Sequence, residues 1–122
     1  MNNRQAWPGE NNPIARINFK LMAGFDAEGQ PIYASGALDS AEELKAVQSI
    51  LEPLKPVPHT ITSVTMGEVL LELADGNKIT LRPVFRPSLD TYRDLFFVDE
   101  GQYPMPSSFA ALLERWRSEA KN

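Results

Sequence analysis

The sequence contains no cysteine and one histidine, His59. Without thiols the chain has no disulfide, no cysteine nucleophile and no cysteine ligand for zinc. This absence fits a reducing compartment, although cysteine-free secreted domains also exist. His59 lies in a proline-rich loop, and no Gly-x-Ser-x-Gly turn accompanies it elsewhere in the chain. We therefore expect a solvated loop histidine without a catalytic or metal-binding role.

Glycine-rich phosphate loops and calcium loops are also missing. The seven glycines are scattered along the chain, whereas phosphate-cradling loops cluster them. The stretch "DAEGQ" at 26–30 lacks the alternating oxygen ligands and the closing glutamate of a calcium loop, so we expect a hairpin turn there. The sequence predicts no metal site, no cofactor and no enzymatic activity, and an enzyme with an unrecognised site is the least favoured alternative.

Positive charge and long apolar runs are scarce. Sixteen acidic residues oppose twelve basic ones, which gives a net charge of -4 and argues against nucleic-acid binding, since that function usually needs a basic face. No apolar run reaches the length of a membrane span. The 122 residues fit one domain.

The chain begins with the polar stretch "MNNRQAWPGENNP". Residues 1–13 are predicted to form a flexible lead-in, with Trp7 as a candidate for docking on the domain, and residues 14–122 to form a single domain. The lead-in is either a native start or the stub left after removal of an export signal or lipid anchor.

Alternating and helical patterns then predict the first half of the domain. "ARINFKLMAGF" alternates as a half-buried strand does, and "DAEGQP" turns the chain into a second strand, "IYAS". A helix should follow, capped by Ser40 with Glu43 or by Asp39 with Glu42. Pro53 predicts that this helix ends near Leu51.

The second half is dominated by strands. Gly67 should separate a strand piece at 60–66 from the strand proper, and Asp75-Gly76 should close a hairpin. "DLFFVD" is a further strand, and Ser107 is the expected N-cap of a terminal helix.

The predicted order is β-β-α-β-β-β-α, an α+β fold with a single antiparallel sheet and both helices packed on one face. The predicted core comprises Ile17, Phe19, Leu44, Val47, Leu71, Leu73, Ile79, Leu81, Leu112, Leu113 and Trp116.

Three segments, "DAEGQPIY", "VLLELADGNKITLRPV" and "DLFFVDEGQYPMPSSFAALL", resemble small domains of bacterial lipoproteins or exported proteins of unknown function, similar to the YhfM-like domains. The resemblance covers most of the chain after residue 14. It implies an extracytoplasmic location and carries no catalytic residues.

The stretch "LRPVFRPSLDTYRD" at 81–94 is the candidate site. In one interpretation it is a protected sheet edge, because Pro83 donates no ladder hydrogen bond and belongs at an edge or a bulge. In the other, Arg82, Arg86 and Arg93 form a cationic patch beside Tyr92, which would bind an acidic protein or an anionic polymer.

The sequence thus favours a non-catalytic binding or protein-interaction domain, with an acidic cytoplasmic regulator or inhibitor of a basic partner as the alternative. The oligomeric state stays open.

Overall fold

The structure is a computed structural model that describes residues 7–58, 65–86, 89, 91–98 and 101–120. These residues contain six strands and two helices. In chain order they are β1 (Ile14–Phe25), β2 (Pro31–Leu38), α1 (Ala41–Leu51), β3 (Gly67–Leu73), β4 (Lys78–Arg86), β5 (Thr91–Val98), β6 (Gly101–Pro104) and α2 (Ser107–Glu119).

The strands form one sheet in the order β2-β1-β3-β4-β5-β6, and all neighbours pair antiparallel. The predicted α+β class and single antiparallel sheet are confirmed. The element order differs by one strand, because β6 lies between β5 and α2 where a turn was expected. Four residues are too few to display an alternating pattern. Most of the predicted strand piece at 60–66 lies outside the described residues.

Both helices cover the same face of the sheet, as predicted. Trp116 of α2 stacks on Phe19 of β1 with a centroid distance of 5.6 Å, and its indole N–H donates to the Glu43 carboxylate of α1 at 3.0 Å. Most of the predicted core is buried. Leu44 and Leu112 are partly buried and pack against that core.

The helix ends follow local rules with one exception. Ser40 caps α1 by accepting a hydrogen bond from the Glu43 amide at 3.2 Å, and α1 ends at Leu51. The Glu43 carboxylate reaches Arg115 and Trp116 of α2. The prediction of Ser107 as the N-cap of α2 is wrong by one position. The N-cap is Pro106, which is extended and makes no side-chain hydrogen bond.

Residues 7–13 of the predicted lead-in lie against the domain. The indole N–H of Trp7 donates to the Leu51 carbonyl at 2.8 Å, and its ring stacks on Tyr103 at 4.5 Å. The expected docking of Trp7 is confirmed, while residues 1–6 lie outside the described residues. Within the described part of the chain, neither helix is long and apolar enough to cross a bilayer.

Candidate functional site

The arginine-rich segment lies inside the sheet, so the sheet-edge interpretation is wrong. β4 lies between β3 and β5. Its pairing with β5 shifts register between Pro83 and Phe85, and Asp94 on the opposite strand has a positive φ of 79°. Pro83 therefore lies beside an irregularity in the ladder, where a residue without an N–H is tolerated.

The three arginines differ in whether they form an ion pair with Asp94. Arg86 donates from Nε to Asp94 at 2.8 Å and from Nη2 at 2.5 Å, and Arg93 lies 3.8 Å from the same carboxylate. Arg82 is exposed. One carboxylate thus offsets part of the positive charge, which weakens the predicted patch as an anion site.

Tyr92 is not part of that surface. Its side chain is buried and packs edge-on against Phe85 at 5.0 Å. Its hydroxyl donates to the Met66 carbonyl at 2.6 Å and accepts from the Met22 amide at 2.7 Å. Burial raises the pKa of Tyr92 to about 12. The signal was present in the sequence, because adjacent strand residues point to opposite faces and Tyr92 precedes Arg93.

A shallow groove of about 490 Å³ borders Arg93 and Asp94 and reaches Ser107 at the start of α2. Its charged groups already face each other, since the Asp94 carboxylate is engaged by Arg86 and Arg93. The groove offers no separate cluster of acid-base groups, and within the described ranges no three or more His, Cys, Asp or Glu side chains gather as a metal site would require. His59 lies outside those ranges. In the "DAEGQ" turn, the Asp26 carboxylate accepts the Glu28 and Gln30 amides.

The two edges of the sheet differ in how far other parts of the described chain cover them. At the β6 edge, Val57 donates its amide to the Gln102 carbonyl at 2.7 Å, and Trp7 covers Tyr103. At the β2 edge, no backbone hydrogen bond from another part of the described chain reaches the strand. An open strand edge can pair with another chain.

The backbone of β1 determines which groups of β2 face outward. The Met22 amide donates to Tyr92, and the Met22 carbonyl accepts from Arg117 at 2.8 Å, so both groups point away from β2. Met22 is opposite Tyr33. Because the direction of backbone groups alternates along an antiparallel strand, the N–H and C=O groups of Tyr33, Ser35 and Ala37 face outward from the sheet edge.

Small side chains line the helix-covered face of this edge strand. On the helix-covered face of β2, Ala34 and Gly36 are opposite Leu21 and Phe19. A β-carbon at Gly36 would lie 2.7 Å from the Phe19 ring, so the ring occupies the space of the missing side chain.

Two depressions follow the same side of β2 toward the end of α2. One, of about 510 Å³, contains Phe25 and Ile32, which are 51% and 45% exposed. The other, of about 220 Å³, lies between Gly36 and Trp116. We call Pro31–Leu38 and these two depressions the β2 groove.

Sequence reasoning missed the β2 groove, although a signal existed. The strand "PIYASGAL" contains no charged residue and has proline only at its first position, whereas exposed edge strands often carry lysine or another charged side chain. Comparison with protein-family models, curated proteins and solved structures finds no match for this chain. The resemblance to YhfM-like domains therefore stays an expectation.

Proposed function

We propose that the protein is a non-catalytic protein-interaction domain and that the β2 groove is its contact surface. One observation carries this proposal. An uncharged eight-residue edge strand has outward-facing backbone groups and lies beside a depression lined by exposed Phe25 and Ile32.

Edge-strand binding suits this geometry because it uses two kinds of contact. Backbone hydrogen bonds to the edge supply affinity, and pockets for alternate side chains supply specificity. The outward groups of Tyr33, Ser35 and Ala37 would supply the first kind. The two depressions of the β2 groove would supply the second.

The arginine patch supports binding less well. Two of its three guanidinium groups lie against Asp94, and Tyr92 is buried beneath the surface. An acidic protein or an anionic polymer remains the partner class that this patch would fit, and Arg82 would be its most accessible contact.

The alternative function is a regulator or inhibitor of a basic partner protein. It is favoured by the stretch between Lys20 and Lys45, which contains acidic residues and no Lys, Arg or His. The β2 groove lies within that stretch, so both functions would use the same surface. Export from a bacterial cell remains a prediction from the resemblance alone.

Selection from a random displayed-peptide library tests the proposal without a known partner. The bait is the protein itself, and the counter-bait is Ser35→Pro, which removes an outward N–H and leaves the hydrogen bonds between β1 and β2 in place. Ser35→Ala is the matched control because it keeps that N–H. We expect enriched peptides that bind the protein and Ser35→Ala but not Ser35→Pro. Enrichment of no peptide, or of peptides that bind all three equally, would overturn the proposal.

A further inference from the structure

Acidic residues flank both ends of the β2 groove. The turn before β2 contains Asp26 and Glu28, and Asp39 and Glu42 follow it, all of them exposed. Glu119 lines the depression near Gly36. On the other face, the Lys20 ammonium lies 4.8 Å from the centroid of the Tyr33 ring, near the middle of the strand, and exposed Arg16 precedes the Ile17–Leu38 pair at the Asp39 end. β2 itself is therefore uncharged, acidic residues stand at both of its ends, and Glu119 beside Gly36 lies 4.0 Å from Arg115.

This charge pattern disfavours a second copy of the chain as the occupant. Antiparallel pairing of two β2 strands about a twofold axis at Ser35 would put Pro31 of one copy opposite Asp39 of the other. The Asp26 and Glu28 turn would then approach Asp39 and Glu42 of the other copy at both ends of the interface. Like charges opposed across a strand pair are destabilising, and the twofold axis repeats the repulsion.

We infer that the β2 groove binds an extended segment of another protein, with apolar residues at alternate positions and basic residues at both ends. This inference rests on the proposed function. The basic ends suit either strand direction, because both ends of β2 are acidic.

The alternate apolar positions follow from the pleat. Successive side chains of an added strand point to opposite faces, so every second one would face α2 and enter the depressions beside Ile32 and Gly36. The intervening side chains would lie on the face of Tyr33 and Lys20. Small or β-branched apolar residues fit the first set, because the depression beside Gly36 is only about 220 Å³.

The experiment uses a fluorescent, capped peptide whose eight central residues match the length of β2. Valine and threonine alternate in its centre, and two lysines stand at each end. One control peptide has glutamates in place of the lysines. A second keeps the lysines but is N-methylated at successive central residues, which removes backbone donors from both strand edges without changing charge. Binding to the full chain is measured by fluorescence anisotropy.

We expect the lysine peptide to bind and the glutamate peptide to bind about tenfold more weakly or worse, since exposed charge pairs each contribute modestly. The difference should shrink as salt rises from about 0.05 M to about 0.5 M. The N-methylated peptide should lose binding. Ser35→Pro should lower the affinity for the lysine peptide about tenfold or more, because an edge hydrogen bond is lost and the proline ring obstructs the added strand. Ser35→Ala should leave this affinity unchanged.

Equal affinity for the lysine and glutamate peptides would overturn the inference about charge. If the library selection returns peptides that depend on Ser35 but have no basic ends, the inference about charge is overturned while the proposed function is supported. A dimer of the free protein that Ser35→Pro dissociates would show that a second copy occupies the groove. The fold of Ser35→Pro is checked by circular dichroism and thermal unfolding against Ser35→Ala.

Discussion

The hydroxyl of Tyr92 accepts a hydrogen bond from the backbone amide of Met22, 2.7 Å away, and so links β5 to β1. The pairing of β1 with β3 ends at Leu21 and Gly67, so β3 supplies no backbone partner for Met22. The same hydroxyl donates to the Met66 carbonyl. This contact fixes the direction of the Met22 amide, and by alternation along β1 it determines which backbone groups of β2 face outward.

Tyr92→Phe should therefore destabilise the protein by about 1–3 kcal/mol, because the Met22 amide loses its partner in a buried position. The ring would remain and keep its contact with Phe85. Urea unfolding at neutral pH measures the effect. Tyr33→Phe is the control, since the Tyr33 side chain is partly exposed and should change stability little. Equal losses for the two variants would contradict the role given to the Tyr92 hydroxyl.

Stability should also fall at alkaline pH. Burial, opposed in part by the hydrogen bond with Met22, raises the pKa of Tyr92 from 10.0 to about 12. The folded state therefore holds the proton more tightly than the unfolded state does. The stabilisation is complete below pH 10 and is lost as pH rises toward 12, by on the order of 2–3 kcal/mol. Unfolding measured at pH 9 and pH 11 should show a smaller drop for Tyr92→Phe than for the unchanged protein.

Gly67 is required by a close approach of two strands. Its φ is +84°, and a β-carbon there would lie 2.2 Å from the Lys20 carbonyl oxygen. Gly67→Ala should cost about 2–5 kcal/mol, from backbone strain together with the clash.

Gly76→Ala is the matched control for Gly67→Ala. Gly76 also has a positive φ, +93°, but has no atom within 4 Å of the added carbon. Gly76→Ala should lower the free energy of unfolding by only about 1–2 kcal/mol, because it adds backbone strain without a clash. Thermal or urea unfolding of the two variants side by side would contradict the account if Gly76→Ala were the more damaging.

The core of α2 can be tested in the same way. Leu113 is fully buried, so Leu113→Ala should cost about 2–5 kcal/mol by leaving a cavity. Leu112 is partly buried beside it, and Leu112→Ala should cost less. Chemical denaturation gives both values, and the reverse ranking would show that the helix is rotated from the position described.

Much of the fold was predictable because strands and helices repeat their apolar residues at different, recognisable spacings along the sequence. Alternation around Ile17 and Leu71 and the helical stripe around Leu113 each place apolar residues on one side, and these sides meet in one core. β6 was missed because "GQYP" is too short to alternate. Its position depends on pairing with β5 and on the cover from Val57 and Trp7, which are distant in sequence.

The candidate site was harder to predict because it depends on strand order. Nothing local to "PIYASGAL" shows that β2 is at an edge, and nothing local to Arg82 shows that β4 is inside the sheet. The burial of Tyr92 was within reach, since it alternates with Arg93, but its partners Met22 and Met66 belong to other elements.

Amide hydrogen exchange of β2 in the free protein, followed residue by residue by NMR, tests the central claim most directly. The amides of Tyr33, Ser35 and Ala37 should exchange quickly because they face solvent, and those of Ala34, Gly36 and Leu38 slowly because they bond to β1. Addition of the lysine-flanked peptide should slow the first three. Slow exchange of Tyr33, Ser35 and Ala37 in the free monomer would show that the edge is already covered, and would contradict the β2 groove as a binding surface.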